Sequence, residues 1–526
     1  MSWTQPKSSE RIAAHLASLG PIEIKPLVRE ADLDALLSET VCRQIYGAHV
    51  YATIPNFADL SSDTTLSRDG YARLIRCVHC YQREVSRIVE NTFDGVRVHF
   101  QGPKLHALFY RPIGDGPELA ARAVLLQLVL ADFMEHIFNE AFPAYADFEL
   151  ASGSDIGDVV GTKNGSHGDR ELLFVGAPAN YAAKMIISGA RLSSKIFAEL
   201  PADLQDRCVV RGDIYSISCT QAGLDGLLKE HGIAWSREKS MERVNDDRDA
   251  VTLAEIDYSD ATTKIKFEDL SIRKNKRVVA ASVFADVCGF TKYIDEAEDD
   301  EAREEALRVF AALRREFAKV VKEDFEGVRV QYQGDRIQAI FHLPKGDRQA
   351  IAREAFDAAV ALQSSMEITL KEHLPEAAAL GIAVGVDLGT TLASSLGLRG
   401  QRDRICLGVP VEHAAALEDA YGPRDIAVSP AVYDELPEDV QVLFTSRKDA
   451  FVANGLTVDS IELAQKAKVY DSGAKVAVAS VLGAAVVGLG IVAAAAAAAR
   501  AEEQRRDKPR LDQTFTPSRT HGGICT

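Results

Sequence analysis

Residues 93–103 read FDGVRVHFQGP and residues 325–335 read FEGVRVQYQGD, so the chain carries one phrase twice, 232 residues apart. The offset holds elsewhere. Gly176 and Gly408 open GAPANYAAKM and GVPVEHAAAL, and Ala151 and Ala383 open ASGSDIG and AVGVDLG, each pair again 232 residues apart. Two long units mean two copies of one domain and not a solenoid, which stacks three or more short ones. A chain of 526 residues suits two such domains with extensions and argues against one continuous core.

The copies have lost different letters. The second ends its phrase in Asp335 where the first has Pro103, and its FADVCGFT has Asp286 where YATIPNFA has Thr53. Downstream the loss reverses: the first copy has Asn180 and Lys184, and the second has Glu412 and Ala416. One copy keeps two acids and the other an amide and a cation. Such complementary loss predicts one composite site at the interface of the copies.

Each copy reads as strand, long helix, strand hairpin, helix, strands and short helix, an α/β (α+β) sandwich. VVAASVF is a β-rich apolar run, EEALRVFAALRREFAKVVKE a charged helix, and VRVQYQGDRIQAIF two strands flanking a Gly-Asp turn. The expected division is a helical N-terminal extension (1–45), the first copy (46–219), a polar, poorly periodic connector with some strand (220–275), the second copy (276–465), and an Ala-rich helix with a polar tail (466–526). Residues 476–499 carry no charge over 24 residues, long enough to span a bilayer, but eleven are alanine and three glycine. A membrane anchor and a soluble Ala-rich helix both fit that stretch.

A net charge of −17 argues against a nucleic-acid or anionic-membrane binder and leaves room for a locally basic pocket. The opening MSWTQPKSSER has no apolar core and the eight cysteines are scattered, so a reducing, cytoplasmic setting is expected. Cys77 and Cys80 form a CxxC inside a helical pattern with no second pair, which points to helix packing and away from metal or redox use.

Asp286 ends an apolar strand, where a carboxylate is costly unless paired or liganded. The turn Val287–Thr291 follows, and N–H groups at such a turn can cradle phosphate oxygens. Asp335 sits in a hairpin turn, where aspartate is also an ordinary turn former. If the two strands are neighbours, the carboxylates meet at one point and suit Mg²⁺ or Mn²⁺.

FADVCGFT, YQGDRIQAIF and G-x-P-x-[NE]-x-A-A, in this order and spacing, resemble the class III nucleotide cyclase domain, over about residues 46–200 and 278–440. The resemblance implies two domains packed head to tail as an intramolecular pseudodimer, a nucleoside triphosphate substrate, and cyclisation with loss of pyrophosphate. It implies Asp286, Asp335 and the Val287 carbonyl as ligands of two divalent ions, and Phe284, Cys288, Gly289, Phe290 and Thr291 as nucleotide contacts. Asn180 matches the family's ribose-orienting asparagine, and Lys184 matches the arginine that stabilises charge on the α-phosphate. Lysine keeps that charge and loses the planar fork. The plainer roles are a helix N-cap for Asn180 and a solvated helix lysine for Lys184.

In that family the base is read at positions matching His99 and Leu173. Neither the adenine pair (Lys with Asp or Thr) nor the guanine pair (Glu with Cys) is present, and Gln331 and Ile405 in the second copy do not restore it. The chain is therefore similar to the bacterial pyrimidine cyclases of anti-phage signalling, including a turn like Gly334-Asp335-Arg336. That resemblance implies cyclic UMP or cyclic CMP as product, with UTP expected before CTP and ATP, and a cyclic-nucleotide-responsive effector downstream. Phe100 and Tyr332 either stack on or limit the base, or pack strands. The competing classes are an adenylate cyclase with an atypical base pocket and a nucleotide-binding regulator that has lost catalysis.

Overall fold

Two nine-stranded sheets with one strand order account for the repeat. The computed structural model describes residues 2–57, 68–145, 147–164, 171–297 and 299–461. The first sheet contains β1 (Glu23–Pro26), β2 (Val41–Thr53), β3 (Val96–Gln101), β4 (Lys104–Phe109) and β5 (Ala151–Asn164). It continues with β6 (Glu171–Val175), β7 (Gly189–Leu192), β8 (Cys208–Arg211) and β9 (Ile214–Ile217). Its order is β3-β4-β2-β5-β7-β9-β8, with β1 on β2 and β6 on β5. The second sheet repeats this with β10 (Asp257–Asp260), β11 (Lys274–Cys288), β12 (Val328–Gln333), β13 (Arg336–Phe341) and β14 (Gly381–Leu396). Its remaining strands are β15 (Asp403–Leu407), β16 (Asp425–Val428), β17 (Thr445–Ser446) and β18 (Phe451–Asn454), and its order is β12-β13-β11-β14-β16-β18-β17.

Helices cover the sheets. They include α1 (Gln5–Ser18), α2 (Arg68–Arg87), α3 (Gly116–Phe133), α4 (Ala177–Lys184), α5 (Gln221–Glu230) and α6 (Arg237–Asp249). The second copy adds α7 (Phe290–Asp295), α8 (Asp300–Lys319), α9 (Arg348–Ser364) and α10 (Val409–Ala420). Cys77 and Cys80 are buried on α2.

Residues 1–458 form a single compact unit, so the two copies are not separate bodies. Two ion pairs related by the 232-residue offset tie them together. Arg97 on β3 meets Asp403 on β15 at 2.6 Å, and Arg329 on β12 meets Glu171 on β6 at 3.0 Å. Each hairpin therefore faces the sixth-strand equivalent of the other copy, the head-to-tail arrangement the duplicated phrase implied.

Burial pushes the Asp403 carboxyl up to about 6, against the pull of Arg97. Its folded pKa lies above that of a free aspartate, so this carboxyl's favourable contribution is complete below about pH 4 and is lost as pH rises through 6. Arg97→Met strands the buried carboxylate and is expected to cost about 3–5 kcal/mol. Urea unfolding should show a larger deficit relative to the wild type at pH 8 than at pH 5.

Two segments differ from the sequence expectation, the N-terminal extension and the connector. β2 starts at Val41, inside the segment assigned to the N-terminal extension, and that segment also carries β1. Its helix α1 belongs with the second copy: Arg11 pairs with Asp324 at 2.9 Å, and Trp3 Nε1 donates to Ser365 Oγ at 2.9 Å. The connector carries the expected strand content in β10 and also two helices, α5 and α6, the second held by charge and not by an apolar stripe. Arg243 bonds Glu84, Arg87 bonds Asp247 at 2.6 Å and Arg237 bonds Asp132 at 2.7 Å. Among the described residues no helix is long and apolar enough to cross a membrane; residues 476–499 lie outside them.

Candidate active site

β11 is an interior strand of its sheet and pairs with β13 in the register Ala285↔Ile337, which sets Asp286 beside Arg336 and the hairpin turn. The turn is a two-residue loop, Gly334-Asp335, with Gly334 at φ 74°, a conformation that favours glycine. The first copy keeps that geometry at Gly102, φ 62°, so the exchange of Asp335 for Pro103 changes chemistry and not the turn. Strand pairing also fixes the other substitution. Asp286 lies opposite Ala383 as Thr53 lies opposite Ala151, which makes Asp286 and Thr53 structural equivalents.

Asn180 and Lys184 are four residues apart on α4, hence on one face. The cap of that helix is Gly176, so Asn180 is an interior helix residue and not an N-cap. The shared A-x-G-x-D-x-G phrase explains how α4 is seated. A Cβ at Gly153 would meet the Ala182 carbonyl at 2.4 Å, and one at Gly385 the Ala414 carbonyl at 2.1 Å. Only glycine lets each helix lie this close to its sheet.

These elements enclose a cavity of about 790 Å³. The second copy lines it with Asp286, Val287, Cys288, Gly289, Phe290, Thr291, Asp335 and Arg336, and the first copy with Asn180, Lys184, His99 and Leu173. Both surviving sets thus face one space. A smaller cavity of about 300 Å³ holds the opposite set, with Thr53, Pro103 and Glu412. It has neither the acid pair nor a cation at the place of Lys184.

Three expected contacts fall elsewhere. Phe284 lines the smaller cavity, beneath the Arg336 guanidinium at 4.6 Å, because each long strand sends its acid position to one cavity and the residue two before it to the other. The residue equivalent to Phe284, Tyr51, takes that place in the larger cavity. Phe100 and Tyr332 are core residues; the Tyr332 hydroxyl donates to the Arg314 carbonyl, and neither ring lines the larger cavity. A bulge between Arg97 and His99 breaks the simple alternation that would otherwise sort this strand.

The wall left after the charged groups is aromatic and apolar: Tyr51, His106, Phe174, Leu172, Leu173 and Val98. Tyr51 stacks on His106 with centroids 4.2 Å apart and 11° between planes. His106 Nε2 lies 2.9 Å from His49 Nδ1. Burial holds the imidazoles neutral, with His99 and His49 lowered to about 3 and His106 well below its ordinary value. The sequence reading does not single out Tyr51, His106, Gln101 or Lys104; Tyr51 stands at the place of Phe284 when FADVCGFT is set against YATIPNFA, and that equivalence is the signal that could have found it.

At the other end, burial raises both acids, and the charge of Asp286 raises Asp335 further. Arg336 is the nearest opposing charge, but it is engaged by Glu418 at 2.7 Å and by the Ala415 carbonyl at 3.1 Å. Two hard-oxygen donors that repel each other fit a divalent cation, which also takes ligands from water and substrate phosphates. Among the described residues no group of three or more His, Cys, Asp or Glu is arranged for a metal. Gly289, at φ 87°, turns the chain from β11 into α7 and places residues 288–291 on the cavity wall.

Residues 273–469 match the family model described as the adenylate and guanylate cyclase catalytic domain. Over 471 residues the chain is 28% identical to a uridylate cyclase of Pseudomonas aeruginosa, covering 85% of this chain and 89% of that one. Over 532 residues it is 25% identical to a uridylate cyclase of a Rhizobium species, covering 90% of this chain and 100% of the relative. Among solved structures it is similar to a class III adenylyl cyclase-like ATP-binding protein from Pseudomonas aeruginosa, with TM-score 0.76 and 25% identity over 88% of this chain and 99% of the other.

Proposed function

We propose, from the premise that this chain is a class III nucleotide cyclase, that it converts UTP to 3′,5′-cyclic UMP and pyrophosphate at one site between its two copies. The observation that carries this is the single cavity in which Asp286 and Asp335 face Asn180 and Lys184, closed by a neutral aromatic wall. In the proposed complex the Asp286 and Asp335 carboxylates and the Val287 carbonyl hold two divalent ions, Mg²⁺ or Mn²⁺. Such ions, when bound, favour the ionised 3′-hydroxyl and neutralise the departing pyrophosphate.

The chain's own residues do the positioning. The Asn180 carboxamide orients the ribose so that its 3′-oxygen lies in line with the α-phosphorus. The Lys184 ammonium sits against the α-phosphate, where negative charge grows as the new bond forms. Backbone N–H groups of residues 288–291 donate to the phosphate chain. The base rests between Tyr51, Leu173 and Phe174, with His99 at its edge. CTP is the second candidate substrate. The ATP-binding relative makes ATP the third.

By analogy with the anti-phage pyrimidine cyclases, the product serves as a second messenger of antiviral defence, read by a cyclic-nucleotide-responsive effector. The test is incubation of the purified chain with each of the four ribonucleoside triphosphates and Mn²⁺. Cyclic UMP with equimolar pyrophosphate is the expected result. A cyclic product from ATP alone overturns the pyrimidine reading, and no product from any triphosphate overturns the enzyme.

A further inference from the structure

The segments that follow β4 and β13 read YRPIGD and HLPKGD, so His342 stands at the place of Tyr110 and Lys345 at that of Ile113. Strand pairing supplies further equivalents. Pro26 lies opposite Gln44 as Asp260 lies opposite Arg277, and Tyr46 lies opposite Asp158 as Val279 lies opposite Thr390. Arg277 therefore takes the place of Gln44, Thr390 that of Asp158, and Ala261 that of Leu27. In the first copy this place is filled. Tyr110 packs with Leu27, Leu33, Leu37 and Ile45, and its hydroxyl donates to the Ala31 carbonyl at 2.6 Å. In the second copy it is a cavity of about 300 Å³, with Asp260, Ala261, Arg277, His342, Lys345 and Thr390 in its wall. The smaller Ala261 and His342 leave the space. Lys345, Arg277 and Thr390 each make it more positive than their counterparts would, and the one added acid, Asp260, is engaged by Lys345 at 2.8 Å.

His342 is only 3% exposed. The Ile265 backbone N–H, which can only donate, reaches His342 Nε2 at 3.3 Å, so the neutral ring carries its proton on Nδ1. Burial, joined by the charge of Lys264, lowers its pKa to about 4 against the pull of its own carbonyl. Nδ1 has no partner in hydrogen-bonding geometry, and a buried donor left unpaired is costly. Arg277 lies over the Tyr71 ring, 5.9 Å from its centroid. Among the described residues no carboxylate pairs with it within bonding distance.

We propose that this cavity binds the phosphate group of a small anion, which accepts a hydrogen bond from His342 Nδ1 and takes its countercharge from Arg277, with Lys345 at the rim. A guanidinium fork, an ammonium and a ring N–H present donors from separate directions, and a phosphate has enough acceptor oxygens to meet them all. The place is distinct from the active site. Arg277 and Asp286 both lie on β11, and nine residues of strand put about 30 Å between them.

The test is the Tm of the full chain titrated with inorganic phosphate. Ionic strength is held constant with sodium chloride, and divalent ions are left out so that the acid pair of the active site repels phosphate. The wild-type Tm is expected to rise with phosphate, as for any ligand that binds the folded state alone. Arg277→Gln combined with Lys345→Ile gives two exposed positions the residues of the first copy. That variant should weaken the apparent affinity by at least about tenfold, and His342→Phe should do the same. The reading is the phosphate-dependent increment, so a change in Tm without phosphate does not enter it. Lys184→Ala, which removes a cation of the active site, should leave the increment unchanged. A wild-type Tm that ignores millimolar phosphate overturns the inference, and so does an unchanged increment in either cavity variant. Loss of the increment in Lys184→Ala overturns it as well, by placing the anion in the active site.

Discussion

Asp286→Asn and Asp335→Asn are each expected to lower turnover by about 10³-fold or more, some 4 kcal/mol of barrier. Thr53→Ala and Glu412→Ala, at the equivalent places around the smaller cavity, should change it less than about twofold. The contrast follows from which cavity keeps both functional sets. The loss is one of function and not of folding. Both acids are raised by burial, and Asp335 also by the charge of Asp286, so ionising them works against the fold. Their folded pKa values lie above those of the unfolded chain, so the stability they contribute is complete at low pH and is lost as pH rises through the folded values. Replacing either by a neutral amide should therefore leave Tm unchanged or raise it at pH 8. Mn²⁺ needs both groups deprotonated and offsets their repulsion. It should raise the wild-type Tm more at pH 8 than at pH 6, and should not raise that of either variant. Comparable loss of turnover in Glu412→Ala would sink the one-site arrangement.

Much of the site was legible because it was written twice. The paired glycines and the uneven letters around them single out Asp286, Asp335, Asn180 and Lys184 in the sequence alone, and the sheets place all four around one cavity. The repeat carries this information because backbone geometry is held constant: Gly102 and Gly334 adopt the same turn, and Gly153 and Gly385 the same close approach. Side-chain direction was less legible. Phe284 and Tyr51 exchange cavities because two copies packed head to tail each lend one strand to both sites, a property of the assembly that no single strand encodes. Phe100 is a natural base-stacking ring on composition alone, but the bulge after Arg97 sets the pleat and leaves His99 facing the cavity and Phe100 buried in the core. The helices of the connector are hidden in the sequence for a different reason. Helix α6 is fastened by Arg–carboxylate pairs such as Arg243 with Glu84, so it lacks the 3.6-residue apolar period by which helices are recognised.

Lys184→Ala should cost about 10²–10³ in kcat, the scale of removing one preorganised charge from a transition state. KM for the triphosphate should move by less than about fivefold, since the charge matters most when the α-phosphate becomes pentavalent. Lys184 lies on the exposed side of α4, and the acid nearest in effect is Asp295, which burial raises while Lys184 and Lys195 lower it. Among the described residues no ion pair within bonding distance holds the Lys184 ammonium, so it is available to substrate. The alanine variant separates a catalytic lysine from a solvated one. A solvated residue would tolerate alanine with a change under about twofold, and such a result would return the site to a nucleotide-binding role. Lys184→Arg is the sharper measurement. The guanidinium fork can grip a phosphate through two N–H groups where the ammonium acts as a point charge. If the cavity is built around the arginine geometry of the wider family, the arginine variant should equal or exceed the wild type in kcat. If α4 has been reset for lysine, the longer, planar group should fall roughly tenfold below it while still far above alanine. Either outcome places a positive charge at this position in the chemistry; arginine and alanine variants of equal activity would remove it.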